Sequence, residues 1–89
     1  MAQVYFTAHL RAVVSRTPVE AEAADVRGAL CGVFEIFPQL QGYVLDEREA
    51  LRRHVCIFVD GIRLANDKAL DAPLQRTSEV YVMQALSGG

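Results

Sequence analysis

The sequence predicts an α+β fold, with a mixed sheet of four or five strands packed on one main helix. Three observations carry this reading. Apolar and polar residues alternate over residues 4–10, as they do in a strand with one buried face. A single apolar stripe at helical spacing runs from Val26 to Phe37. The rest of the chain is strand-like and lacks the regular alternation of strand and helix that marks a doubly wound sheet.

In the first strand, Val4, Phe6, Ala8 and Leu10 share one face, and Tyr5, Thr7 and His9 share the other. Ser15-Arg16-Thr17-Pro18 breaks the pattern. Residues 19–23 alternate again, which makes the pair a hairpin. The carboxylate of Asp25 is placed to cap the free N–H groups of a first helical turn. Val26, Ala29, Leu30, Val33, Phe34 and Phe37 then form the apolar stripe. Pro38 cannot continue the helix and ends it. Gly28 and Gly32 weaken the helix by up to ~1 kcal/mol each relative to Ala, and are read as points of close packing on the sheet.

Tyr43-Val44-Leu45 is a short candidate strand, and the choice between four and five strands hinges on it. Asp46-Glu47-Arg48-Glu49 suits a turn. Residues 51–59 give the strongest strand signal, and Asp60-Gly61 is a hairpin signal. Asn66-Asp67-Lys68 reads as another turn, residues 69–74 as irregular, and Val80-Tyr81-Val82-Met83 as the last strand. A strand hairpin, one helix and a returning set of strands describe a β-grasp. Residues 1–84 are expected to form that domain, and residues 85–89 a flexible tail.

Composition narrows the function. An 89-residue chain holds one domain, and 52% hydrophobic residues suffice for a core. A formal net charge of −2, with 22% charged residues, argues against a nucleic-acid binder. No polybasic run marks a membrane surface, and no apolar stretch approaches the ~20 residues of a membrane span. The N-terminus carries no secretory signal pattern, so a cytoplasmic location is expected. Cys31 and Cys56 are too few for a disulfide scaffold and read as reduced, semi-buried thiols. His9 and His54 have no partner at metal-ligand spacing, so no metal site is expected. Asp46, Glu47 and Glu49 lie among Arg48, Arg52 and Arg53, which reads as a solvated turn. No phosphate loop is present. The chain therefore shows no ordinary active site and no cofactor site of its own.

Two features remain. The first is the terminal pair Gly88-Gly89. A C-terminal carboxylate is ionised at neutral pH and is a poor electrophile until it is adenylated. Glycine lacks a Cβ and can enter a narrow channel. Five residues from Ala85 to Gly89 reach about 17 Å, far enough to deliver the chain end into another protein's active site. The second feature is the outer sheet face. If Val55, Ile57 and Val59 face the core, Cys56 and Phe58 face out. If Val80 and Val82 face the core, Tyr81 and Met83 face out. A sheet face that meets water is usually polar, so Phe58, Tyr81 and Met83 are candidate docking residues.

These residues resemble the ThiS/MoaD sulfur-carrier family, the bacterial relatives of ubiquitin. The resemblance spans nearly the whole chain. It begins with Val4-Tyr5-Phe6-Thr7-Ala8 running into Leu10-Arg11 and the capped helix ending near Phe37-Pro38. It continues with His54-Val55-Cys56-Ile57-Phe58-Val59-Asp60-Gly61, with Leu70-Asp71-Ala72-Pro73-Leu74, and with the ending from Val80 to Gly89. It departs from the family at Thr77-Ser78-Glu79, where Gly-Asp-Glu is usual, which leaves the turn type open. It also departs at Gln84, where a proline often stands, and at Ser15-Arg16, where Gly is usual. Residues 45–53 are longer than in the shortest members and look more like carriers of cysteine-type biosynthesis or MoaD-like proteins of unassigned pathway.

The resemblance implies that a ubiquitin-activating-type enzyme uses ATP and magnesium to adenylate Gly89. A persulfide or sulfide donor then leaves a thiocarboxylate there. A second enzyme accepts the sulfur to build molybdopterin, thiazole, cysteine or another sulfur metabolite. Gly89 would be the reacting residue, Ser87 and Gly88 channel residues, and Leu86 an anchor. The chain would bind neither cofactor nor metal and would catalyse nothing alone. The alternatives are a protein modifier joined to lysines through Gly89, a resident small subunit of a molybdopterin-synthase-like enzyme, and a plain β-grasp interaction module.

Overall fold

Among the described residues, five strands form one mixed sheet: β1 (Ala2–Phe6), β2 (Val19–Ala21), β3 (Val55–Val59), β4 (Ile62–Leu64) and β5 (Glu79–Gln84). Their order is β2-β1-β5-β3-β4. β1 and β5 are parallel, and the other neighbours are antiparallel. The computed structural model describes residues 1–6 and 18–84. The first strand thus starts at Ala2, and the rest of the expected 4–10 alternation lies outside the described residues. The second strand stops at Ala21, short of the expected Ala23.

Helix α1 (Val26–Ile36) packs on one face of the sheet and buries Val26, Ala29, Leu30, Val33 and Phe34. Asp25 is extended, and its carboxylate accepts the Gly28 N–H at 2.8 Å. That satisfies one of the donors a helix start leaves free. The Phe37 N–H closes the last turn on the Val33 carbonyl. Pro38 then ends the helix, as the sequence predicts.

The next segment corrects the reading of Tyr43-Val44-Leu45 as a strand. Pro38–Leu40 is a 3₁₀ turn that runs into a one-turn helix, α2 (Gln41–Val44). Leu40 and Val44 are both fully buried, four residues apart, as neighbours on one helical face. Only Leu45 is extended, and it makes an isolated bridge to Leu51. The fifth strand is β4 instead. The long strand expected over 51–59 begins only at Val55, because the Arg52 N–H turns back to the Val44 carbonyl and the Arg52 side chain donates to Gly42 O. Residues 66–68 belong to a second short helix, α3 (Asn66–Ala69), not an open turn.

Asp60 and Gly61 have φ of 51° and 86°, the positive values that a two-residue type I′ hairpin requires at both positions. Asp60 also ties this hairpin to β5. Its carboxylate accepts the Glu79 N–H, and its own N–H donates to the Glu79 carbonyl, both at 2.9 Å. The Ser78 hydroxyl accepts the Gln75 N–H, and its carbonyl accepts the Gln3 N–H. Thr77-Ser78-Glu79 thus supplies a closed turn into β5 without the glycine usual there. The core lies between α1 and the sheet and includes Val4, Leu30, Val33, Ile57, Val80 and Val82. Each such side chain contributes about 1.5–3 kcal/mol by leaving water.

Candidate functional site

The face of the sheet away from α1 carries the candidate docking residues. Strand register places Tyr5 beside Tyr81, Tyr81 beside Phe58, and Phe58 beside Arg63. This is one row across four strands, because directly opposed residues share a face. Met83 pairs with Cys56 in the adjacent row. Tyr81 and Met83 are 38% and 36% exposed, and Tyr5, Phe58 and Cys56 are half-buried. The expected outward set of Cys56, Phe58, Tyr81 and Met83 is therefore gathered on one surface. Their neighbours Val55, Ile57, Val80 and Val82 are buried. Val59 lies on the core side but is only half-buried.

Two members of this surface were not singled out from the sequence. Tyr5 stacks on Tyr81, with ring centroids 4.5 Å apart and planes 8° from parallel. Its signal was the alternation of β1, which already turned Tyr5 outward. The parallel pairing with the last strand that makes it part of the site is a long-range contact. Arg63, exposed at the β4 edge, is the other.

The acidic side of this face lies one row away, where Glu20, Gln3 and Glu79 stand in register. The Tyr5 hydroxyl is within reach of Gln3 Oε1 at 3.2 Å and Glu79 Oε2 at 3.5 Å. Desolvation of the phenol, followed by the charge of Glu79 and the neighbouring Tyr81, raises the Tyr5 pKa above its ordinary value.

β5 runs between β1 and β3 and ends at Gln84, opposite Val55. Five sequence positions separate that point from Gly89. Leu86, Ser87, Gly88 and Gly89 lie outside the described residues, as does His9. The strand that leads to them is central, paired with β1 through Val82 and with β3 through Gln84, so the base of the segment lies beside Met83 and Cys56.

The remaining candidates fall where the sequence placed them, with one correction. Asp46 accepts the backbone N–H groups of Arg48 and Ala50 at 2.8 and 3.1 Å. Those two bonds, that of Ala50 foremost, hold its carboxyl below the usual range. It organises a turn, as expected. His54 sits half-buried at the start of β3. Cys56 is half-buried, but Cys31 is exposed on α1, not semi-buried. The helical stripe leaves position 31 outside the buried set Ala29, Leu30, Val33 and Phe34. Among the described residues there is no group of three or more metal-ligating side chains. Among them, too, no helix is long and apolar enough to cross a membrane.

No protein-family model and no curated protein sequence matches the chain. Solved structures do. One is a chain of the Amycolatopsis orientalis BexX/CysO complex, at a TM-score of 0.88 and 21% identity, covering 100% of both chains. Small archaeal modifier protein 1 from Haloferax volcanii matches at 0.85 and 22% identity, over 99% of this chain and 98% of that one. Mycobacterium tuberculosis CysO matches at 0.84 and 16% identity, over 97% of this chain and 100% of that one. These likenesses span the chain from end to end and concern its architecture: the protein has the β-grasp fold of the CysO and small archaeal modifier proteins.

Proposed function

We propose that the chain is a sulfur carrier of the ThiS/MoaD type and that Gly89 is its reacting residue. In the first step the Gly89 carboxylate attacks the α-phosphorus of ATP, held with magnesium by a ubiquitin-activating-type enzyme. Pyrophosphate leaves and an acyl-adenylate forms. Hydrosulfide then attacks the carbonyl carbon and AMP leaves. Where the donor is a persulfide, its terminal sulfur attacks, AMP leaves, and a second thiol reduces the resulting acyl disulfide, forming a disulfide with the donor sulfur. The product is a thiocarboxylate, which hands its sulfur to an acceptor enzyme of cofactor or sulfur-metabolite biosynthesis. The acceptor would be of the cysteine type or of the molybdopterin-synthase-like type. In this scheme the chain is a cosubstrate and not a catalyst.

The observation that carries the reading is the whole-length likeness to CysO, joined to a Gly88-Gly89 ending five positions beyond the central strand β5. Phe58, Tyr81 and Met83 lie on the face beside that strand, where an activating enzyme that receives the tail would dock. Leu86 would anchor the tail, and Ser87 and Gly88 would line its path into the enzyme.

The test is co-expression with the host's adenylating enzyme, trypsin digestion and accurate-mass analysis of peptide 77–89. Exchange of oxygen for sulfur at Gly89 nearly matches oxidation of Met83 in nominal mass. Thiol-selective alkylation is therefore read alongside. A thiocarboxylate at Gly89 supports the carrier. An unmodified tail, with the enzyme active on a control carrier, rejects it. The likeness to small archaeal modifier proteins favours conjugation to lysines as the second reading, visible as Gly-Gly remnants on target proteins.

A further inference from the structure

We propose that the outer sheet face is self-complementary and that a second copy of this chain is its occupant in the free protein. The apolar centre of the face is Tyr5, Tyr81, Phe58 and Met83. Charged residues surround that centre, with Arg76 lining the hollow that also holds Glu20 and Glu79. Arg63 ends the aromatic row on the edge strand β4. Glu79 and Glu20 lie one row away, towards the β1 and β2 side. Among the described residues the one ion pair is Arg27 with Asp71, on a different surface, so Arg63, Glu79 and Glu20 have no ionic partner there.

Closed dimers use the same patch on both subunits. Two copies placed face to face with their strands crossed, one of the two usual sheet packings, bring Tyr81 against Tyr81. The same operation sets Arg63 of each copy over Glu79 of the other. The opposite charges of Arg63 and Glu79, set apart on one copy, thus become complementary between two. A five-stranded face with strands ~4.8 Å apart offers about 400 Å². That is roughly half of the ~800 Å² per partner found in stable complexes. The dimer is therefore weak and reversible. Self-association itself does not depend on the carrier reading. Its consequence does: a dimer that covers the docking face competes with the activating enzyme.

The test is sedimentation equilibrium of the full chain under reducing conditions, with amide NMR spectra recorded on dilution. The expected dissociation constant lies between about 100 μM and a few mM. Dilution shifts are expected at Tyr5, Phe58, Arg63, Tyr81 and Met83. R63E and E79R each weaken association about tenfold, and the double variant R63E/E79R restores it to within about threefold. Dispersed amide spectra confirm that each variant is folded. A wild-type monomer at millimolar concentration overturns the proposal and leaves the face to a different protein. Dilution shifts confined to α1, or a double variant no better than the singles, overturn it equally. Thiocarboxylate formation at Gly89 is read separately, so failure of the dimer and failure of the carrier are distinguishable.

Discussion

The rings of Tyr5 and Tyr81 lie 4.5 Å apart and 8° from parallel, across the parallel pairing of the first strand with the last. Seventy-six positions apart in sequence, they stand side by side on the outer face. The contact therefore joins the N-terminal strand to the strand that carries the chain towards Gly89. It also stiffens the centre of the proposed docking surface.

A double-mutant cycle measures that contact. Tyr5→Leu and Tyr81→Leu keep much of the apolar area and remove the ring pairing. A coupling energy of about 0.5–1.5 kcal/mol is expected from urea unfolding of the four proteins. A coupling near zero would show that the stacked geometry contributes only its buried area.

The same tyrosine gives a pH signature. Desolvation and the nearby Glu79 favour the neutral phenol, so Tyr5 titrates above the ordinary tyrosine value. A raised folded pKa stabilises the fold below the unfolded value, ~10, and that contribution is lost as pH rises through the folded value. Glu79→Gln removes the charge and should lower the Tyr5 pKa towards normal. Resonances of the tyrosine ring carbons followed from neutral to strongly alkaline pH check this.

Three glycines separate propensity from space. A Cβ at Gly32 would meet its nearest neighbour, Ala21 Cβ, at an ordinary 3.8 Å. Gly32→Ala is therefore expected to stabilise by about 0.5–1 kcal/mol. At Gly28 a Cβ would stand 3.1 Å from the capping Asp25 Oδ1 and 3.2 Å from Ala23 Cβ. Gly28→Ala loses most or all of that gain by disturbing the cap. Gly61→Ala faces no clash, but its φ of 86° makes it destabilising by about 1 kcal/mol. Thermal unfolding of the three variants gives the order Gly32→Ala, Gly28→Ala, Gly61→Ala from most to least stable.

Much of this arrangement was legible in the sequence. Helix α1 was readable from Asp25 to Pro38 because cap, stripe and breaker agree. The hairpin at Asp60-Gly61 was readable because few dipeptides tolerate two positive φ values. The outward set Phe58, Tyr81 and Met83 followed from period-two alternation. Tyr43-Val44-Leu45 was misread because its β-favouring residues outweighed the i, i+4 spacing of Leu40 and Val44. Burial of those two side chains against the core decides for a helical turn. Arg52 could not be foreseen as the residue that delays β3, since its bonds to Val44 and Gly42 depend on that turn. The β1–β5 pairing that completes the site is equally non-local.

Acid tests the turn over residues 46–50. Asp46 accepts two backbone N–H groups, which lowers its pKa. A depressed folded pKa stabilises above the unfolded value, ~3.9, and this support is lost as pH falls through the folded value. Asp46→Asn keeps an acceptor but no charge. Its stability deficit against wild type should be present at neutral pH and shrink below about pH 4. Urea midpoints measured across that range check the sign, and a deficit independent of pH would assign the role to the hydrogen bonds alone.

The last prediction separates the tail from the face. Deleting Gly89 removes no residue of the five strands, and stability is expected to change by less than about 0.5 kcal/mol. Adenylation, followed as pyrophosphate release with the activating enzyme, should vanish, because the remaining end stops one residue short of the reaction. Phe58→Ser acts differently. It leaves the proposed reacting group intact and removes part of the proposed docking surface. Loss of a group that contributes equally to ground-state and transition-state binding raises KM and leaves kcat unchanged. About a tenfold rise in KM for the carrier is expected, equal to roughly 1.4 kcal/mol of lost contact. An unchanged KM in Phe58→Ser and Tyr81→Ser would move the docking site off this face. Full activity after deletion of Gly89 would remove the terminal glycine from the chemistry altogether.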